Sequence, residues 1–195
     1  MITTPNALYT GLTIAQLNSK NFLYAANFAN HSVDVFNASF QPISLGTGAF
    51  QNSMVPSGFA PFNVQNIGGA VYVTFAEVGP DGKSVAGAGL GYVDKFSAAG
   101  KLLMRLEHGN WINAPWGLVA APATGFGPLS GQLLVGNFGS GAVLAFNPTT
   151  GVLTATMKNS SGKPLLIPVP VGHPLRQRRF GRPRQYSVFC RRAIQ

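Results

Sequence analysis

The chain holds five acids, three histidines and one cysteine in 195 residues, so side chains able to do acid–base, nucleophilic or metal chemistry are few. Two of the acids, Asp34 and Asp94, occupy matching places in repeated segments, where the third copy has Leu144. A position that accepts leucine reads as an outward or rim residue of a strand rather than as half of a general acid–base pair. His31 and His108 have no Cys or His neighbour at zinc-ligand spacing. The run GAGLG at 87–91 is glycine-rich, but it does not join a strand to a helix as phosphate-cradling loops do. No serine sits in a Gly-x-Ser-x-Gly elbow.

Asn27 and Asn137 are more informative, because both follow an alternating apolar segment. An asparagine there caps a loop by bonding backbone amides, or lines the mouth of a channel. Phe62 and Trp116, each after Ala-Pro, either pack between repeated units or face a ligand. These four residues are the candidate ligand-binding set. No catalytic residue and no metal ligand is assigned.

The elements that position them come from internal repetition. AANFANHSVDVFN (25–37) aligns without gaps on VGNFGSGAVLAFN (135–147), with Asn27/Asn137, Phe28/Phe138, Val33/Val143, Phe36/Phe146 and Asn37/Asn147 identical. A third copy of the second half, GYVDKF (91–96), follows AVYVTFAEV (70–78). The opening motifs FAPFNV (59–64) and NAPWGLV (113–119) place Phe62 and Trp116 54 residues apart. Each unit of about 54 residues reads as four short strands joined by turns. NPTTG (147–151) and SAAGK (97–101) put glycine where a hairpin needs positive φ. Four strands per unit of this length predict a β-propeller blade. The loop 76–91 is longer than its counterparts, and is expected to be a rim insertion, functional or mobile.

Composition agrees: 46% of residues are hydrophobic, only 10% are charged, and there are 24 Gly and 14 Pro, the signature of a turn-rich β protein. The formal net charge of +9 is uneven. Residues 1–171 hold seven Lys/Arg and all five acids, whereas 172–195 hold seven arginines and no acid. Cys190 is the only cysteine, so no disulfide framework is available. The opening residues MITTPNALYTGLTIAQ lack the basic and apolar regions of a signal peptide, and no apolar run is long enough to span a membrane.

The segments NFLYAANFANHSVDVF, GFAPFNVQNIGGAVYVTFAE, NAPWGLVAAPATGFG and LLVGNFGSGAVLAFNPTTG together resemble a bacterial six-bladed β-propeller family related to NHL-repeat propellers. Some of its members carry a PEP-CTERM sorting signal. The resemblance covers residues 6–168 and implies a chain about twice as long, with blades before Asn6 and after Pro168. It also implies export of the complete protein, and that gluconolactonase-like relatives hold a divalent metal in the channel through Asn, Asp and Glu.

If a blade follows Pro168, its opening motif is due near residues 170–171, where the sequence reads VPVGHPLRQRRFG. Read one nucleotide later, Val171-Gly172-His173-Pro174 is compatible with Trp-Gly-Ile-Arg, echoing Trp116-Gly117-Leu118. Gln185 to Arg192 is compatible with Asn-Thr-Leu-Phe-Phe-Ala-Ala-Gly, echoing Asn21 to Ala26. Residues 169–195 are therefore expected to be an out-of-frame, disordered arginine-rich tail. The rival reading is a nucleic-acid arm, with arginines on phosphates and Tyr186 and Phe189 stacking on bases. Nothing in the body extends that basic surface.

The expected fold is all-β: residues 1–168 form a partial β-propeller of about three four-stranded blades. The expected function is a non-catalytic binding or scaffold module for a small molecule or protein, extracytoplasmic in its complete form. It carries no cofactor, no specific nucleic acid and no membrane span. The alternative is a metal-dependent, lactonase-like hydrolase whose divalent-metal site is completed by other blades. The open blade edges predict self-association.

Overall fold

The computed structural model describes residues 4–167. The expectations for the arginine-rich tail lie outside the described residues. The chain is all-β. Its only helical element among the described residues is a three-residue 310 turn at Gly127–Leu129.

Three antiparallel sheets follow one another along the chain, each a meander in sequence order. The first contains β1 (Tyr9–Leu17), β2 (Lys20–Asn27), β3 (Ser32–Phe36) and β4 (Pro42–Ile43). The second contains β5 (Phe59–Ile67), β6 (Ala70–Val78), β8 (Tyr92–Phe96) and β9 (Leu102–Arg105). Within it, β7 (Ser84–Val85) pairs with the end of β6. The third contains β10 (Pro115–Ala120), β11 (Leu133–Asn137), β12 (Val143–Phe146) and β13 (Leu153–Thr156). The first strand of each sheet is an edge strand, and β5 lies against both β1 and β10.

Turn chemistry sets the register of the first hairpins. Both central residues of the β1–β2 turn have positive φ, Asn18 at 51° and Ser19 at 62°. Gly68 and Gly69 of the β5–β6 turn do the same at 60° and 82°. Two successive positive φ values match the right-handed twist of the flanking strands, which is why such turns close two-residue hairpins.

The period-2 alternation then decides which side chain meets which sheet. On β6, Val71, Val73 and Phe75 join Tyr24, Ala26, Val35, Phe50 and Phe96 in the core between the first and second sheets. The intervening Ala70 and Tyr72 pack with Val93, Leu106 and Ile112 against Leu133, Val135, Leu144 and Phe146 of the third sheet. The middle sheet is thus covered on both faces, which explains why β6 reads as a continuous apolar run. Each of these large side chains contributes about 1.5–3 kcal/mol by leaving water. Tyr24, Phe50 and Phe96 add edge-on and tilted ring contacts at 5.7 and 5.3 Å.

The loop 76–91 is more ordered than an insertion need be. β7 folds back onto Glu77 and Val78. Its second half is pinned to the lead-in of the third sheet by Gly89 N to Ile112 O, 2.7 Å, and Ala114 N to Leu90 O, 2.7 Å.

One expectation needs correction. Asp34, Asp94 and Leu144 do occupy one register position, facing Ala25, Val73 and Val135 on their neighbouring strands. Asp94, however, is not outward: it is fully buried, as is Leu144. The position faces the preceding sheet. Burial of Asp94 is made tolerable by Arg105, whose Nε and Nη2 donate to the two carboxylate oxygens at 2.9 and 3.3 Å, and by Asn52 Nδ2 at 3.0 Å. No cation–acid spacing in the sequence announced this pair.

Candidate functional site

The candidate site begins with a defect repeated in the three edge strands. In β1 the pairing register skips from Tyr9 to Gly11, in β5 from Pro61 to Asn63, and in β10 from Pro115 to Gly117. Thr10, Phe62 and Trp116 are therefore the extra residues of three equivalent β-bulges. A bulge leaves its residue outside the ladder and re-aims its side chain. Pro61 and Pro115 stand immediately before it, on edge strands where a missing N–H is tolerated.

The bulges converge. The indole Nε1 of Trp116 donates to the main-chain oxygen of Thr10 at 3.1 Å, and Asn63 Nδ2 donates to the oxygen of Trp116 at 2.6 Å. All three sheets are therefore stitched at one level. Gly11 is required by this crowding, since a Cβ there would lie 1.9 Å from Asn63 Oδ1. Phe62 lies between Phe28 and Phe138, with ring centroids 5.4 and 5.8 Å away.

Phe28 and Phe62 are buried, while Trp116 and Phe138 are about half exposed. With Leu8 and Thr10 they enclose a cleft of about 440 Å³, whose lip carries Lys83 and Ser84 from the long loop. Lys83 pairs with Asp81 at 3.4 Å, both well exposed, an arrangement that adds little stability. The Asp81 carboxyl is held below its ordinary value, chiefly by the Lys83 backbone N–H. An open aromatic cleft, lined also by Thr10, Ser84 and Lys83, suits a flat and mostly apolar group.

Asn27 and Asn137 sit at the ends of β2 and β11, buried beneath the cleft rather than in it. Asn27 Oδ1 accepts from Leu8 N and Asn30 N at 3.2 and 3.3 Å. Asn137 Oδ1 accepts from Asn113 N at 3.1 Å, and its Nδ2 donates to Trp111 O at 2.7 Å. Both clip the segment leading into β1 or β10 onto the second strand. Asn113 Oδ1 in turn accepts from Gly87 N at 2.8 Å, which ties the long loop to the same clip. Of the four sequence candidates, then, Phe62 and Trp116 meet in the cleft, and Asn27 and Asn137 support it.

Sequence reading missed Thr10, Asn63, Asn113, Phe28 and Phe138 as parts of this arrangement. Phe28 and Phe138 were visible as an identical repeated pair. Thr10 was not, because the first bulge lacks the Pro that marks the other two.

Away from the cleft, Asp34 is half-buried and accepts from Tyr9 Oη and Asn27 Nδ2 at 2.8 Å each on Oδ2, and from Ser32 Oγ at 2.8 Å on Oδ1. The Tyr9 phenol is raised above its ordinary value, first by burial and then by Asp34, with Thr4 opposing. His108 stacks on Tyr92 at 4.6 Å, and its Nε2 lies 2.9 Å from Gly89 O. His31 Nδ1 lies 3.3 Å from Phe59 O. Among the described residues no group of three or more His, Cys, Asp or Glu is placed to hold a metal, and no helix is long and apolar enough to cross a membrane.

The chain is similar to proteins of Acanthamoeba polyphaga mimivirus. Uncharacterized protein R640 is 32% identical over 165 residues, covering 83% of this chain and 30% of the relative. Uncharacterized protein R648 is 32% identical over 166 residues, with 82% and 40% covered. Uncharacterized protein L690 is 33% identical over 172 residues, with 85% and 44% covered. The chain thus spans less than half the length of these viral relatives. No protein-family profile matches it. Among solved structures, a protein of unknown function from Bacteroides caccae aligns at 11% identity with a TM-score of 0.46, over 80% of this chain and 48% of its own. The Bacteroides ovatus protein described as Xyloglucan PUL GH43B aligns at 15% identity with a TM-score of 0.46, over 77% and 30%.

Proposed function

We propose that residues 4–167 form three consecutive blades of an NHL-like β-propeller, and that the complete protein is an exported, non-catalytic binding or scaffold module. Two four-stranded meanders and a third of the same order with the short β7 added support the propeller, as do the adjoining first strands and the bulge repeated in each of them. On this reading the first strands surround the axis, with Thr10, Phe62 and Trp116 at its mouth.

The observation that carries the function is the convergence of Phe62 and Trp116, from different sheets, with Phe28 and Phe138 in one cleft of about 440 Å³. Its ligand is a flat, largely apolar group, held by aromatic faces and turned by the polar lip. A single-tryptophan chain tests this. With Trp111→Phe, Trp116 is the sole tryptophan, since the sequence has two. Titration with 2-naphthoate should change Trp116 emission saturably, and Phe138→Ala should weaken the response about tenfold or more. An unchanged response in that variant overturns the reading.

A further inference from the structure

One register position is solved differently in each sheet. In the second sheet Asp94 lies opposite Arg105, and in the third Leu144 lies opposite Thr156. In the first, Val35 pairs with Ile43, and one step further along the same register puts Ser44 opposite Asp34. Leucine leaves no charge to compensate, and Arg105 compensates the carboxylate of Asp94 in place. Among the described residues, Asp34 has the acid without the cation. Its recorded donors, Tyr9, Asn27 and Ser32, are all neutral among the described residues.

Asp34 also faces open space. A cavity of about 340 Å³ is lined by Asp34 together with Thr4, Phe36, Ile43, Ser44 and Phe50. A carboxylate has about four acceptor positions, and the three donors leave one open, on Oδ1. Thr4 and Ser44 line the same cavity; their hydroxyls bond Tyr9 Oη and Gly46 N at 3.1 and 3.2 Å and each keeps an acceptor position, and the apolar lining suits the flat faces of a guanidinium, which is less strongly hydrated than an ammonium. The chain itself supplies the precedent: at the matching position Arg105 binds Asp94 through Nε and Nη2.

We propose that the cavity beside Asp34 is a binding site for the guanidinium of an arginine side chain on another polypeptide segment. Binding adds one charge-assisted bond at Oδ1, where the second sheet makes two internally. Lysine is a poorer occupant, because its ammonium has no planar fork to divide between carboxylate and hydroxyls.

The probe is Nα-acetyl-L-argininamide, titrated into the full 195-residue chain and followed by the Tyr9 ring resonances. Saturable shifts are expected, with Nα-acetyl-L-lysinamide binding several-fold more weakly. Asp34→Asn keeps the hydrogen-bonding shape and should weaken arginine binding about tenfold or more. Ser44→Arg installs the missing cation, and should abolish probe binding while raising the Tm. Equal affinity for the two probes overturns the proposal, as does unchanged binding in Asp34→Asn. Should Asp34→Asn not fold, undiminished probe binding in Ser44→Arg overturns it alone.

Discussion

Trp116 and Thr10, 106 residues apart in sequence, are joined by an indole-to-carbonyl hydrogen bond of 3.1 Å between two β-bulges. This bond ties the first sheet to the third across the edge of the second. Trp116→Phe keeps an aromatic ring and removes the donor. It is expected to lower stability by about 1 kcal/mol, the ordinary worth of such a bond. Gly11→Ala is expected to cost more, because the added methyl runs into Asn63, the residue that holds Trp116 from the other side. Chemical denaturation of the two variants against the parent chain ranks them. The reverse order would show that the bulges are not coupled through Asn63.

The buried ion pair is predicted to be replaceable but not divisible. Arg105→Met leaves Asp94 buried beside Asn52 with no cation, a change that costs about 3–5 kcal/mol. The double change Asp94→Leu with Arg105→Thr copies the Leu144–Thr156 solution of the third sheet and should cost far less. Thermal unfolding of the two variants decides it, and a double variant as unstable as the single one contradicts the equivalence of the sheets.

The outer hairpin turns carry a simpler prediction. Gly100 and Gly151 have φ of 81° and 74°, and the matching residue of the first sheet is Phe40 at 58°. Phe40 N bonds Asn37 O at 2.9 Å, three residues back, as Gly100 N bonds Ser97 O, while Gly151 N bonds Asn147 O, four residues back, in a turn one residue longer. A bulky residue in the left-handed region costs about 1–2 kcal/mol, and Phe40 is exposed, so little packing offsets that cost. Phe40→Gly should therefore stabilise the chain by about 1 kcal/mol, read as an increase in Tm.

How much of this was legible follows from where each signal lives. The repeat, the strands and the turn glycines were legible because apolar alternation and positive-φ residues are local properties. The equivalence of Asp34, Asp94 and Leu144 was legible too, yet the burial of Asp94 was not. That burial depends on Arg105, 11 residues further on, and on Asn52, 42 residues back. Phe62 and Trp116 were found through their shared spacing. Their meeting with Phe28 and Phe138 depends on three bulges re-aiming side chains, and a bulge leaves no mark in a sequence when, as at Thr10, no proline precedes it.

Alkaline stability has a definite sign. The phenols of Tyr9 and Tyr24 are both raised above the ordinary value of 10.0, each chiefly by burial. Raised values mean that the folded chain holds these protons more tightly than the unfolded one. The contribution of these two phenols to stability is then flat below about pH 9 and is lost as pH rises through 10 towards their raised folded values. Tyr24→Phe should flatten that limb. It should also cost about 1–3 kcal/mol at neutral pH by leaving the Ala98 carbonyl, 2.8 Å from the phenol, without its donor.

Whether the three bulges build a ligand cleft is decided by intermolecular NOEs from bound 2-naphthoate. Contacts are expected to the Leu8 methyls and to the Phe138 ring, which line the cleft. Contacts confined to other exposed apolar side chains, such as Ile14, Leu166 and Ile167, would contradict it.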